Sequence, residues 1–170
     1  MKLTGEETPE ELRKEARAIV MRQLAMMDRS RQQLIDAQTS RGVPEDLAME
    51  MVDKFEKAGL VDDEKFAASL IRSRMAEKPI SRRGLARDLD RKGISREIAE
   101  EALAEVSSDD ERRAAFELAR KKARSTEGLD YEVRRRRIYG ALARRGFSPD
   151  QTMSAVRAVL DDNDDSSYYT

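Results

Sequence analysis

With 170 residues but no cysteine and no histidine, the chain cannot form a disulfide, a thiol nucleophile, a Cys/His zinc site or an imidazole acid–base pair. Charged residues make up 39% and aromatics only 5%, against about 25% charged in an average soluble domain, which argues against one thick core and for small helical units. The formal net charge of −1 hides segregation, because Arg72–Lys92 holds eight basic against three acidic residues (+5) and Arg112–Arg145 twelve against four (+8).

No apolar stretch approaches the ~20 residues of a membrane span, and the N-terminus lacks a signal-peptide apolar region. The expectation is a cytoplasmic protein without membrane contact. Residues 1–9 read as a flexible acidic segment. Over 12–60, Leu12, Ala16, Ile19, Val20, Leu24 and Met27 follow helical spacing. Ser30 then stands as an N-cap, and Arg41-Gly42 ends the next helix. Pro44 opens a third, carrying Val52 and Phe55.

The same order returns over 61–107. Asp62-Asp63-Glu64 places acid at a helix start, followed by Phe66, Leu70, Ile71 and Arg74. Ser81 is the N-cap, Lys92-Gly93 the stop and Ser95 the restart, with Ile98, Leu103 and Val106 beyond. Over 109–160 the third copy has Ala115, Phe116, Leu118, Ala119 and Ala123, then Ile138, Arg145-Gly146, Pro149, Val156 and Val159. The glycines of the three stops are 51 and 53 residues apart, and Leu34, Leu85 and Ile138 each lie eight residues before one. Gln38 and Gln151 depart from the aliphatic pattern, which predicts looser packing there. The predicted fold is all-α: three tandem three-helix repeats in an elongated, curved modular array. Residues 161–170 are expected to be a disordered acidic tail, solvated rather than masking the basic patches.

The second copy, "GLVDDEKFAASLIRSRMAEKPISRRGLARDLDRKGISREIAEEAL", resembles the RecX family, bacterial regulatory proteins of the RecA recombinase. The shared order is an acidic start, Phe-Ala, Arg-Ser-Arg, a basic stretch, Leu-x-x-x-Leu, Lys-Gly-Ile and Ile-x-x-x-Ala-Leu. "RRIYGALARRGF" is similar to the family's third unit and "ARAIVMRQLAMMDRSRQQLIDAQTSRGV" to its first. The resemblance implies a RecA-binding modulator that docks along the groove of the RecA–DNA filament and inhibits ATP hydrolysis and strand exchange, in DNA repair and the SOS response.

The residues themselves offer no enzyme site and call for no cofactor or metal. There is no Gly-x-x-x-x-Gly-Lys-Ser/Thr loop and no Gly-rich dinucleotide turn. Adjacent Asp62 and Asp63 point different ways on a helix and read as helix-start acid. Binding is left. Stepping 100° per residue from Ile138 turns Ala141 and Leu142 inward, with Tyr131 too if the helix begins after Asp130, and Arg136, Arg137 and Arg144 outward. Arg134 falls in the serine slot, Arg135 at the flank and Arg145 in the helix stop. With Leu85 and Leu89 inward, Arg83, Arg87 and Arg91 face outward and Arg82 stands near the margin. Together with Arg72 and Arg74 these outward and marginal arginines form the candidate partner surface, for RecA carboxylates or, secondarily, DNA phosphates, since arginine forks suit both. A charged helix face that serves solubility alone is the bland alternative. A helix-turn-helix-like DNA-binding protein acting without RecA is the functional one, and a pure helical scaffold is a third. The expected state is a monomer.

Overall fold

The computed structural model describes residues 3–161; of the expected acidic tail only Asp161 is among them, and the rest lies outside the described residues. Nine α-helices and no strand are present among the described residues. They are α1 (Pro9–Met26), α2 (Arg31–Thr39), α3 (Glu45–Lys57), α4 (Asp63–Glu77), α5 (Arg82–Arg91), α6 (Arg96–Leu103), α7 (Ser108–Ser125), α8 (Tyr131–Arg144) and α9 (Pro149–Leu160). This is the predicted all-α array of three-helix repeats, with α2, α5 and α8 as the second helix of each.

Local chemistry sets the helix borders. Thr8, Ser30, Ser107 and Ser148 are N-caps whose hydroxyls accept from the backbone three residues on, while Glu11, Gln33, Asp110 and Gln151 reach back to the cap N–H. The second helix of every repeat ends in one geometry. Gly42, Gly93 and Gly146 have φ of +101°, +77° and +87°, the left-handed conformation that costs glycine no steric penalty. The next residue donates five positions back: Val43 to Gln38 (3.2 Å), Ile94 to Leu89 (3.1 Å) and Phe147 to Leu142 (3.3 Å). Val43, Ile94 and Phe147 are themselves buried, which completes the hydrophobic contact of this helix stop.

The chain's contacts group into two compact units, Met1–Leu70 with Leu89–Ala99, and Ile71–Asp88 with Glu100–Thr170, so the border runs through α4, α5 and α6 rather than between repeats. In the first unit Ala16, Ile19, Val20, Leu34, Val52 and Phe55 form the core of α1–α3. In the second, Leu118, Ala119, Ile138, Leu142, Phe147 and Val156 do the same for α7–α9. Removing a fully buried leucine such as Leu34 from water stabilises by about 2–3 kcal/mol.

Several apolar expectations fail in instructive ways. Met27 follows the end of α1 and is 58% exposed. Phe116 is 38% exposed and lies beneath the Arg120 guanidinium, 5.7 Å from its ring centre. Tyr131 does open α8, yet it is 49% exposed, and its phenol donates to Asp161 at 3.4 Å; a first-turn residue turned toward the end of α9 escapes the packing its angle promises. Gln38, by contrast, is fully buried, its amide donating to the Leu34 (3.0 Å) and Ala48 (3.2 Å) carbonyls and so tying α2 to α3. Gln151 serves the α9 cap through the Ser148 N–H at 2.9 Å, which explains why this slot is not aliphatic.

Candidate binding surface

The basic side chains of the second and third repeats divide into those that hold the fold and those left to solvent. Arg74 belongs to the first group: its Nε donates to Asp88 Oδ2 at 3.0 Å, and its NH1 lies 3.5 Å from Glu77. Asp88 is nearly buried, so this pair binds α4 to α5. Arg82 is engaged too, although its side chain is partly exposed. Its backbone N–H donates to Glu111 Oε1 (3.0 Å), its NH2 to Ser108 Oγ (3.1 Å), and its Nε is 3.7 Å from Glu111 Oε2. Arg91 is engaged within the protein as well.

The second group is Arg72, Arg83, Arg87, Arg136, Arg137 and Arg144. All six are exposed, and none forms a salt bridge or hydrogen bond with another described residue. Their exposure follows from helix geometry: on α5 Leu85 and Leu89 are buried, and on α8 Ile138, Ala141 and Leu142 are. Two of the six lie over glycine. Arg144 NH1 is 3.1 Å from where a Cβ of Gly140 would stand, and Arg87 NH2 is 2.6 Å from the corresponding point on Gly146. Thus α5 delivers Arg87 to the end of α8, and the arginines of the two second helixes are not isolated from each other there. An excess of cations that pair with no carboxylate among the described residues attracts anions and meets carboxylate or phosphate oxygens through paired hydrogen bonds.

Other arginines of the run have local work. Arg134, in the slot that Ser30 and Ser81 fill in the earlier copies, lies inside α8 and turns back to the Ala123 carbonyl (3.0 Å) and Thr126 Oγ1 (3.4 Å) at the end of α7. Arg135 lies 3.8 Å from Glu132.

Sequence reasoning missed a joint that recurs between repeats. Ser30 Oγ accepts from the Gln33 N–H (3.2 Å) and donates to the Lys92 carbonyl (2.5 Å). Ser81 Oγ accepts from the Gly84 N–H (2.9 Å) and donates to the Arg145 carbonyl (3.0 Å). One residue on, the Arg31 N–H donates to Asp63 Oδ1 (2.8 Å), as the Arg82 N–H does to Glu111. Asp62 caps its own helix through the Lys65 N–H at 3.1 Å, whereas Asp63 caps the preceding repeat's. Burial, foremost, raises the Asp63 carboxyl above its ordinary value, against the lowering effect of the Arg31 N–H. The available signal was the recurrence of serine twelve residues before glycine, a hydroxyl being both donor and acceptor.

Among the described residues no cluster of carboxylates is arranged to hold a metal ion, and no helix is long and apolar enough to cross a membrane. Comparison with known proteins agrees with the repeat. Residues 62–103 match the model of the second three-helix domain of RecX, and 109–156 that of the third. The regulatory protein RecX of Streptomyces lividans is 36% identical over 156 residues, covering 92% of this chain and 83% of its own length. That of Thermobifida fusca is 37% identical over 157 residues, covering 92% and 85%. The crystal structure of RecX from Lactobacillus salivarius superimposes with a TM-score of 0.77 at 23% identity, over 88% of this chain and 97% of that one, a likeness of fold. With its second and third repeats matched domain by domain and its relatives aligned over more than four fifths of their length, the chain belongs to the RecX family of regulatory proteins.

Proposed function

We propose that the chain is a non-enzymatic inhibitor of the RecA recombinase, lying as a monomer along the groove of the RecA–DNA filament and suppressing ATP hydrolysis and strand exchange in DNA repair and SOS regulation. The observation that carries this reading is the set of six exposed arginines without a partner among the described residues, on the two repeats that match the RecX domains. Acidic RecA surfaces are the primary contact, with DNA phosphates secondary. Occupying the groove hinders a second DNA and the subunit motions coupled to ATP turnover.

The test is single-stranded-DNA-dependent RecA ATPase with added protein, beside the same titration of Arg83→Glu/Arg87→Glu. Inhibition by the parent and at least a tenfold weaker effect of the variant are expected, since like charges then face an acidic surface. No effect of the parent at saturation overturns the reading. Sequence-preferring binding to naked duplex without RecA points to the DNA-binding alternative.

A further inference from the structure

The face that joins repeats is built from two acceptors: the carbonyl just before the stop glycine, and a carboxylate at the start of the repeat's first helix. In the second repeat these are Lys92 O and Asp63, and in the third Arg145 O and Glu111. Each receives two donors from consecutive residues of the preceding second helix, the serine hydroxyl on the carbonyl and the next backbone N–H on the carboxylate. The stop glycine makes the approach possible. A Cβ on Gly93 would stand 2.5 Å from Gln32 Cβ, and one on Gly146 2.7 Å from Ser81 Oγ.

The first repeat carries the same two acceptors, Arg41 O ahead of Gly42 and Glu7 ahead of α1, and both are filled in the same register. The Leu3 N–H donates to Arg41 O at 3.0 Å. One residue on, the Thr4 N–H donates to Glu7 Oε1 at 2.6 Å, and the Gly5 N–H adds a bond to Glu7 Oε2 at 2.8 Å. Leu3 covers the glycine, its Cβ 3.3 Å from where a Cβ of Gly42 would stand, and packs on the α1–α3 core. The stretch 1–9, expected as a flexible segment, thus includes residues tied at both acceptors.

We propose that Leu3–Gly5 acts as a stand-in for the first turn of a repeat's second helix, and that the first repeat's glycine turn with Glu7 is a peptide-docking face which this segment occupies. What the face recognises is a short segment that offers two successive backbone donors and an aliphatic side chain for the bare glycine. Leu3–Gly5 closes the first repeat in the way a capping unit closes a repeat array. Glu7's carboxyl, held below its ordinary range first by the Thr4 N–H, keeps the charge the donors require.

The test uses protein lacking residues 1–6 and a synthetic peptide of those six residues, followed by NMR titration of the Gly42 and Thr8 amides. The peptide is expected to bind the shortened protein at least tenfold more tightly than the full chain, and to raise its melting temperature. A Glu7→Gln change in the shortened protein should weaken that binding several-fold. As a check that keeps the chain at full length, Thr4→Pro removes the N–H facing Glu7 and should admit the peptide too. Equal binding to shortened and full-length protein, or no binding to the shortened protein and to the Thr4→Pro chain, overturns the proposal.

Discussion

At the scale of single residues, Ser30 and Ser81 show why side-chain chemistry matters beyond helix propensity. Both hydroxyls are fully buried and make two bonds, accepting as a cap and donating across the joint. At an ordinary N-cap, aspartate serves as well as serine; at position 81 its carboxylate would face the Arg145 carbonyl with no proton to donate. Ser81→Ala is expected to cost about 2 kcal/mol, from the lost cap and the unmet carbonyl, and Ser81→Asp more than Ala. At Ser148, whose hydroxyl makes only the capping bond among the described residues, Asp should equal Ser. Urea unfolding midpoints of the four proteins decide it; Asp no worse than Ala at 81 would remove the donor role from the account.

At the scale of elements, the joint makes one repeat's helix start depend on the next repeat's acid. Asp63 accepts from the α2 backbone at Arg31 while standing in the first turn of α4, with Glu56 and Asp62 as like charges nearby. Its carboxyl is raised above the ordinary value, burial being the first cause. A raised folded-state value means the group's stabilising contribution is complete below the unfolded carboxylate range, near pH ~4, and is lost as pH rises through the folded value. Asp63→Asn retains an oxygen to accept from Arg31 and has no such loss. The gap in melting temperature between variant and parent should therefore shift in favour of the variant as pH is raised from about 4 to neutrality. A gap that stays constant, or moves the other way, would show that ionised Asp63 is not penalised in the folded chain. Glycine acts on the same scale: a Cβ on Gly84 in α5 would come within 2.8 Å of the Arg145 carbonyl, so the first turn of α5 can be this close to the end of α8 only without a side chain.

At the scale of the whole molecule, a net charge near zero coexists with a surplus of cations unpaired among the described residues, because many carboxylates are committed to helix starts, joints and internal ties. Arginines that look alike in sequence therefore separate by consequence. Arg74→Ala is expected to lower stability by about 1–2 kcal/mol, since it strips a partner from the nearly buried Asp88, while leaving the proposed RecA inhibition per folded molecule unchanged. Arg83→Ala should do the reverse, shifting the ATPase inhibition curve with the unfolding midpoint intact. Parallel urea melts and ATPase titrations test the separation; equal loss of inhibition in both would mean that the binding surface is not confined to the unpaired set.

The chain by itself determined the repeat, its period, its glycine stops and serine caps, and the buried faces carrying Leu34, Leu85 and Ile138, because these depend on spacing along one helix and on conformations only certain residues adopt. The outward placement of Arg83, Arg87, Arg136, Arg137 and Arg144 was legible for the same reason. What the tertiary structure alone decided was which cations are already taken. A 100° step tells whether a side chain leaves the helix inward or outward, but not whether another helix holds a carboxylate where it arrives, as Asp88 does for Arg74 and Glu111 for Arg82. The second serine bond, the reach of Asp63 to Arg31 and the seat of Leu3 on Arg41 join residues 32 to 64 positions apart. Contacts across such separations are set by packing between helices, where no local periodicity can announce them.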